Sequence, residues 1–350
     1  MAEDMLAVMK TERAEGATVT RAPIPKVENP HEVLIKIKAS SICGTDAHIY
    51  FWDEWSQGRI KPPMIFGHEC AGEVVEIGSL VTRVKVGDYI SPETHIPCGY
   101  CPQCLTGKQH ICHNLKILGV DVDGVFAEYV VVPESVCWKN DPDLPLEIAC
   151  IQEPFGNAMY TVSESDVGGK QVCIIGDGPI AAFAVGIARA FGAAPIYCVG
   201  KHDVRIEILK KMGADVTLSI QRDKIVESIM DATHGYGVDV VLDMTGQQTA
   251  IDWGLQMVKK GGTFTAFGIP AGKIQMDLSG GVVFKGANII GINGRKMFDT
   301  WFKVANILGN KRVDPGPVIT HKFPLKEFEA AMKATKNPKR DCGKVVLLVE

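Results

Sequence analysis

Apolar and polar positions along the chain follow two rhythms, and the change comes near residue 157. Before it, short apolar runs alternate with turns. In HEVLIKIKAS (31–40), Val33, Ile35 and Ile37 fall on one side and Leu34, Lys36 and Lys38 on the other, the period of two of a strand. MLAVMK (5–10), AGEVVEIG (71–78), GDYIS (87–91) and FAEYVVV (126–132) read the same way, broken by Gly and Pro. Residues 1–150 are therefore expected to be mostly β with long loops.

Beyond 157 the runs become continuous. QVCIIG (171–176) and PIYCVG (195–200) predict buried strands, each followed by a helical stretch rich in small and apolar residues. VTLSI (216–220), a helix from Lys224, VDVVLDMTG (238–246), a helix at 251–258, GTFTAFGIP (262–270) and ANIIGIN (287–293) continue the alternation. Strands separated by helices predict parallel βαβ units in a doubly wound sheet, an α/β class. A helix at 297–308 and a strand at 344–350 follow, and that strand suits pairing back into the first domain. The expected organisation is one domain from 1–157 and 295–350, with a lobe at 93–115, and a dinucleotide-type domain at 158–294.

With 350 residues and 46% apolar content, the chain can bury two cores. Lys+Arg 37 against Asp+Glu 41 argues against nucleic acid or a membrane surface as a partner. No run approaches the roughly 20 apolar residues of a membrane helix, and the charged N-terminus has no signal-peptide core. Eleven cysteines, an odd number, fit a reducing cytoplasm better than a disulfide framework. Cys70, Cys137, Cys150, Cys173, Cys198 and Cys342 sit among apolar or small residues and read as core filling.

The other cysteines carry chemistry. Cys98, Cys101, Cys104 and Cys112 are separated by two, two and seven residues. That spacing folds four thiolates onto one tetrahedral ion, a closed structural zinc site. A zinc ribbon on nucleic acid is the rival, but the flanks lack the dense Lys/Arg that phosphate binding requires. Cys43, His48, His68 and Glu69 form a second set of metal-type donors. Cys, His and a carboxylate hold zinc with a position open to a substrate oxygen, although a core thiol and a satisfied core histidine are the plain alternatives.

Between the first continuous strand and its helix lies Gly176-Asp177-Gly178-Pro179-Ile180-Ala181. The first glycine permits a tight turn, the second admits a pyrophosphate, and the helix N-terminus offers free N–H groups. The second strand ends in Gly200, followed by Lys201, with Arg205 one turn into the next helix. An acid at that tip would bind the ribose of NAD. Its absence, with Lys201 and Arg205 as phosphate partners, favours NADP, with dual use of NAD(P) the alternative. A solvated Lys201 and a helix-capping Asp203 are the plain reading of the same residues.

GHE (67–69), the four-cysteine lobe and the late glycine loop together resemble the zinc-dependent medium-chain alcohol dehydrogenase family over essentially the whole chain. Residues 41–69, 93–101, 152–158 and 294–303 are most similar to its threonine-oxidising branch. The resemblance implies a GroES-like zinc domain joined to a Rossmann domain, two zinc ions per subunit and a homotetramer. It implies Cys43, His68, Glu69 and Glu153 as catalytic zinc ligands, with Glu69 swinging on and off the metal. Thr45 and His48 would relay the alcohol proton. Cofactor contacts would fall on Ile180, Arg205, Phe267, Gly268, Ile269, Ile292 and Asn293. The implied reaction takes hydride from the secondary alcohol of L-threonine and gives 2-amino-3-ketobutyrate. Sorbitol- or butanediol-type polyol oxidation is the alternative, and a non-catalytic binding protein the remote one. Trp52, Trp55 and residues 295–301 are candidate substrate-pocket positions. The branch generally carries an acid where this chain has Gly200. Asp177 places a negative charge in a phosphate loop, for which the sequence offers no account.

Overall fold

The computed structural model describes residues 3–337 and 341–349. Parts of the expected terminal domain segments (Met1, Ala2, 338–340 and Glu350) lie outside it.

The second half is a six-stranded parallel sheet. Its spatial order is Val216–Ser219, Ile196–Gly200, Val172–Ile175, Val238–Asp243, Val258–Ala266 and Asn288–Gly291. This is the doubly wound order that places a ligand crevice beyond the carboxyl ends of the strands. The continuous apolar runs arise because both faces are covered. Val172 and Ile174 pack into the core shared with Pro179–Ala190 and Gln152–Glu164. Cys173 and Ile175 pack on the other side with Ile229 and Ile251, from Ile225–Ala232 and Gln248–Met257. Gly186 lets the first helix lie close to its neighbours, since a Cβ there would meet Met212 Cε at 2.8 Å and Val313 Cγ1 at 2.9 Å.

The first half is built on a largely antiparallel seven-stranded sheet. Val33, Ile35 and Ile37 of Glu32–Ser41 are all fully buried, and Leu34 is buried as well. Lys344–Leu348 pairs antiparallel with Glu32–Ser41 and parallel with Ile319–Pro324, so the last described strand joins the sheet of the first domain. A small sheet of Thr18–Pro23, Asp4–Lys10 and Met64–Ile65 caps one side.

Two short helices, Gly44–Phe51 and Glu54–Arg59, stand where loops were expected. They bury only Asp46, Ile49, Tyr50 and Ser56, so no apolar stripe betrays them in the sequence. The six cysteines read as core filling are each 3% exposed or less. Burial pushes the Cys173 thiol up to about 12, a poor nucleophile at neutral pH. Among the described residues no helix is long and apolar enough to cross a membrane.

Candidate active site

The lobe presents four sulfurs at a tetrahedral spacing. Cys101 Sγ lies 3.5 Å from Cys104 and 3.7 Å from Cys112, and Cys112 lies 3.5 Å from Cys98. A tetrahedron of thiolates about 2.3 Å from zinc has edges of about 3.8 Å, so the four residues fit the ion. Backbone N–H groups of Cys98 and Asn114 point at Cys112 Sγ, each at 3.3 Å, and that of His113 at Cys101 Sγ. Desolvation opposes ionisation of Cys98, but N–H groups of Tyr100 and Cys101 outweigh it and bring the thiol down to about 6. All eleven cysteines are free thiols.

The second cluster joins the N-terminus of Gly44–Phe51 to the start of Glu69–Ile77. Ligand atoms of Cys43, His68 and Glu69 all lie within 4.8 Å of one another. His68 and Glu69 are buried, and each has a partner behind it. His68 Nδ1 lies 3.5 Å from Asp46 Oδ1, a charge contact without a hydrogen bond that leaves the other ring nitrogen for a metal. Glu69 takes a hydrogen bond from Ser41 Oγ and one of 2.7 Å from Lys344 Nζ. Burial alone would lower His68, yet Asp46 and Cys43 outweigh it and pull the imidazole up to about 10. The pocket therefore favours positive charge, and a thiolate, an imidazole and a carboxylate suit zinc.

Glu153 is the fourth expected ligand. It lies outside the group of three, and its Oε1 accepts from Arg295 Nη1 and from Thr94 Oγ1. The reason is electrostatic. Arg295 is 1% exposed and needs anions on both sides, and it takes Glu93 as well as Glu153. Asn157 Oδ1 accepts from the same guanidinium at 2.9 Å, and Trp301 Nε1 donates to Glu93 at 2.7 Å. Gly156 makes room, because a Cβ there would meet Arg295 Cδ at 2.7 Å. Arg295 and Trp301 thus form a buried platform behind Glu153. Trp52 lies under Lys10 and Arg13, while Trp55 packs its ring edge-on to His48.

Thr45 and His48 sit one turn apart on Gly44–Phe51. The His48 side chain is 59% exposed, and its Nδ1 is held by Asp53 Oδ2, so it faces solvent with a fixed ring. That suits a proton outlet.

The expected cofactor residues gather at the carboxyl ends of the parallel strands. Gly176 takes φ +132°, a conformation that L side chains rarely adopt, and Gly178 caps Pro179–Ala190 with open space around its Cβ position. Next to them, Asp243 accepts from the backbone of Thr245 and Gly246. Phe267 and Gly268 donate to the Asp243 carbonyl, each at 3.0 Å. A Cβ on Gly268 would strike Gly246 N, so two strand-end loops meet here as bare backbone. Ile269 is exposed, Ile292 is buried and Asn293 is exposed. These positions fit a dinucleotide: a bare glycine cradle at a helix start, beside an apolar ledge. Lys201 is exposed, whereas Arg205 donates to the Cys342 carbonyl at 2.8 Å.

The two regions are mechanically joined. Asn293 is followed at once by Gly294, where a Cβ would strike the His95 ring, and by Arg295 on Glu153. Cys342 anchors Arg205 and Lys344 anchors Glu69. The sequence reading missed Asp46, Lys344 and Glu93 as supporting groups. A charged residue opening the apolar run KVVLLVE was the one available signal for Lys344.

Comparison with known proteins agrees with this arrangement. The family described as alcohol dehydrogenase GroES-like domain matches residues 29–143, and zinc-binding dehydrogenase matches 179–310. The chain is 51% identical to an L-threonine 3-dehydrogenase of Caldanaerobacter subterraneus subsp. tengcongensis, covering 98% of each chain. It is 45% identical to one from Pyrococcus abyssi over the full length of both. Among solved structures, a zinc-binding dehydrogenase from Sinorhizobium meliloti bound to NADP superposes with TM-score 0.90 at 27% identity, covering 99% of this chain and 100% of that one. The 2R,3R-butanediol dehydrogenase of Bacillus subtilis gives 0.88 at 26%, covering 98% and 99%.

Proposed function

This chain belongs to the zinc-binding, GroES-like alcohol dehydrogenase family, and from that premise we propose that it oxidises L-threonine at its secondary alcohol to 2-amino-3-ketobutyrate, passing hydride to a nicotinamide dinucleotide. The observation that carries the reading is the near full-length similarity to L-threonine 3-dehydrogenases, at 51% identity in one of them.

Cys43, His68 and Glu69, with Glu153 within reach of the same pocket, would hold a catalytic zinc ion, whose Lewis acidity makes an alcohol ionisable near neutral pH. A second zinc on Cys98, Cys101, Cys104 and Cys112 would brace the lobe, giving two per subunit. A bound dinucleotide supplies the hydride acceptor. The chain's own residues carry the proton. Thr45 takes it from the substrate hydroxyl, and His48, oriented by Asp53, releases it to water. Lys344 and Arg295 hold the carboxylates of Glu69 and Glu153 in place in a buried pocket.

In this reading residues 1–157 with 295–350 form the catalytic domain, 158–294 form the dinucleotide domain, and the site lies in the cleft between them. The enzyme works as a homotetramer in the cytoplasm. Free thiols throughout support the compartment, and the largely exposed edge strand Asn288–Gly291 supports assembly. Which dinucleotide is preferred turns on the tip of Ile196–Gly200. The absence of an acid there favours NADP, while a carboxylate from elsewhere opposes it.

Initial rates of zinc-replete protein, with L-threonine and a small polyol panel against NAD⁺ and NADP⁺, test the proposal. Threonine-dependent reduction is expected. A silent threonine assay beside an active polyol assay would move the substrate to the vicinal polyols and leave the family unchanged.

A further inference from the structure

Asp177 does not point at the phosphate loop to which it belongs. Its carboxylate reaches across to the tip of the neighbouring strand. There Oδ2 accepts from the backbone N–H of Lys201 and of His202, each at 2.8 Å, and lies 2.9 Å from His202 Nδ1. Among the described residues, Oδ1 has only a 3.7 Å contact, with Arg205 Nη1. Gly200 leaves the space that this side chain fills: a Cβ on Gly200 would sit 3.1 Å from Asp177 Cβ and 2.8 Å from Ile206 Cγ1. The place where a strand-tip acid would stand is therefore occupied by an acid delivered from the glycine loop. Two converging backbone N–H groups, an imidazole and a guanidinium are also what would bind a 2′-phosphate, and Asp177 already holds them. Its side chain is 11% exposed, and these donors hold its carboxyl below the usual carboxylate range despite burial.

We propose that Asp177 is the ribose-recognising carboxylate of this dinucleotide site, supplied from the glycine loop instead of the strand tip, and that it turns the enzyme towards NAD and against the 2′-phosphate of NADP. Oδ1 accepts from a ribose hydroxyl, while a phosphate brought to the same place meets a like charge and finds its donors taken. The preference for NADP drawn from Gly200 and Lys201 took no account of this carboxylate. The proposal rests on the dinucleotide reading of the site and not on the identity of the alcohol.

Direct binding tests it without turnover. NAD⁺, NADP⁺, 5′-AMP and 2′,5′-ADP are titrated calorimetrically into wild-type protein, Asp177→Asn, Asp177→Ala, and Asp177→Ala combined with Gly200→Asp. Wild-type protein is expected to bind NAD⁺ and 5′-AMP more tightly than their 2′-phosphorylated counterparts. Asp177→Asn keeps an acceptor for the Lys201 and His202 N–H groups but loses the charge. It should shift the ratio at least about tenfold towards NADP⁺, since a like-charge contact discriminates by more than that. Asp177→Ala should shift it likewise, and adding Gly200→Asp should restore the NAD⁺ preference by returning the charge to the strand tip. Wild-type preference for NADP⁺, or a ratio unmoved in both single variants, overturns the proposal. If none of the four ligands binds wild-type protein, the dinucleotide reading itself falls.

Discussion

Lys344 Nζ lies 2.7 Å from Glu69 Oε1, and both side chains are almost fully buried. The lysine opens the last strand of the chain, and the glutamate begins Glu69–Ile77 beside Cys43 and His68. The same ammonium donates to the Ile42 carbonyl at 2.9 Å, next to the Cys43 ligand position. One buried cation therefore sets the position of a candidate metal ligand and pins the backbone before another. It also gives Glu69 a partner other than the metal.

Lys344→Met keeps the length of the side chain and removes its charge. Among the described residues, Glu69 is then left buried with only the Ser41 hydrogen bond, and breaking a buried pair this way costs about 3–5 kcal/mol. A clear fall in melting temperature of the zinc-replete protein is the expected result. If thermal scans superpose on wild type, Glu69 has found the metal instead, and zinc affinity should then have risen.

The two cysteine sets predict opposite phenotypes. Cys43→Ser should abolish turnover with the melting temperature nearly unchanged, because it removes a donor from an open pocket. Cys98→Ser should lose the lobe zinc and destabilise the protein, because the four sulfurs and their N–H donors have no apolar core to replace them. Metal analysis beside thermal melts separates them. Equal zinc loss and equal destabilisation in both variants would contradict the division into catalytic and structural sites.

Local spacing made much of this legible. The lobe is written in four cysteines within fifteen positions, and the glycine loop in the join between a strand and its helix. Non-local partners were not. Nothing around Glu69 announces Lys344, and nothing around Gly200 shows that Asp177 points at it. Glu153 sits in a stretch that fits a metal ligand, and nothing in that stretch shows that its carboxylate also accepts from Arg295, 142 positions further along the chain. Position in a motif determines where a side chain starts. The charges packed around it determine where it ends.

Gly156→Ala tests the Arg295 platform without touching a charge. The added methyl would lie 2.7 Å from Arg295 Cδ, and the arginine is locked by Glu93, Glu153 and Asn157, so it has little room to yield. Overpacking of this kind costs about 1–3 kcal/mol, and the displaced guanidinium changes how Glu153 is held. Turnover should drop with lobe zinc intact. Wild-type turnover and stability together would show that the platform tolerates displacement.

The same platform gives the protein an acid limb. Burial pushes the Glu93 carboxyl up, but Arg295 outweighs it, helped by hydrogen bonds from that guanidinium and from the His95 N–H, and takes it down to about 2. A carboxyl lowered on folding contributes stability that is fully present above its unfolded pKa, near 4.5, and is lost as pH falls through the folded value. The contribution at neutral pH is about 3 kcal/mol. Wild-type stability should therefore fall steeply between pH 4.5 and 2. Glu93→Gln still offers an oxygen to Arg295 but cannot titrate. It should be less stable at pH 7 and show a shallower loss across that window. Denaturant melts at several pH values measure both quantities. Parallel stability curves for the two proteins would mean that the pair does not control the acid limb.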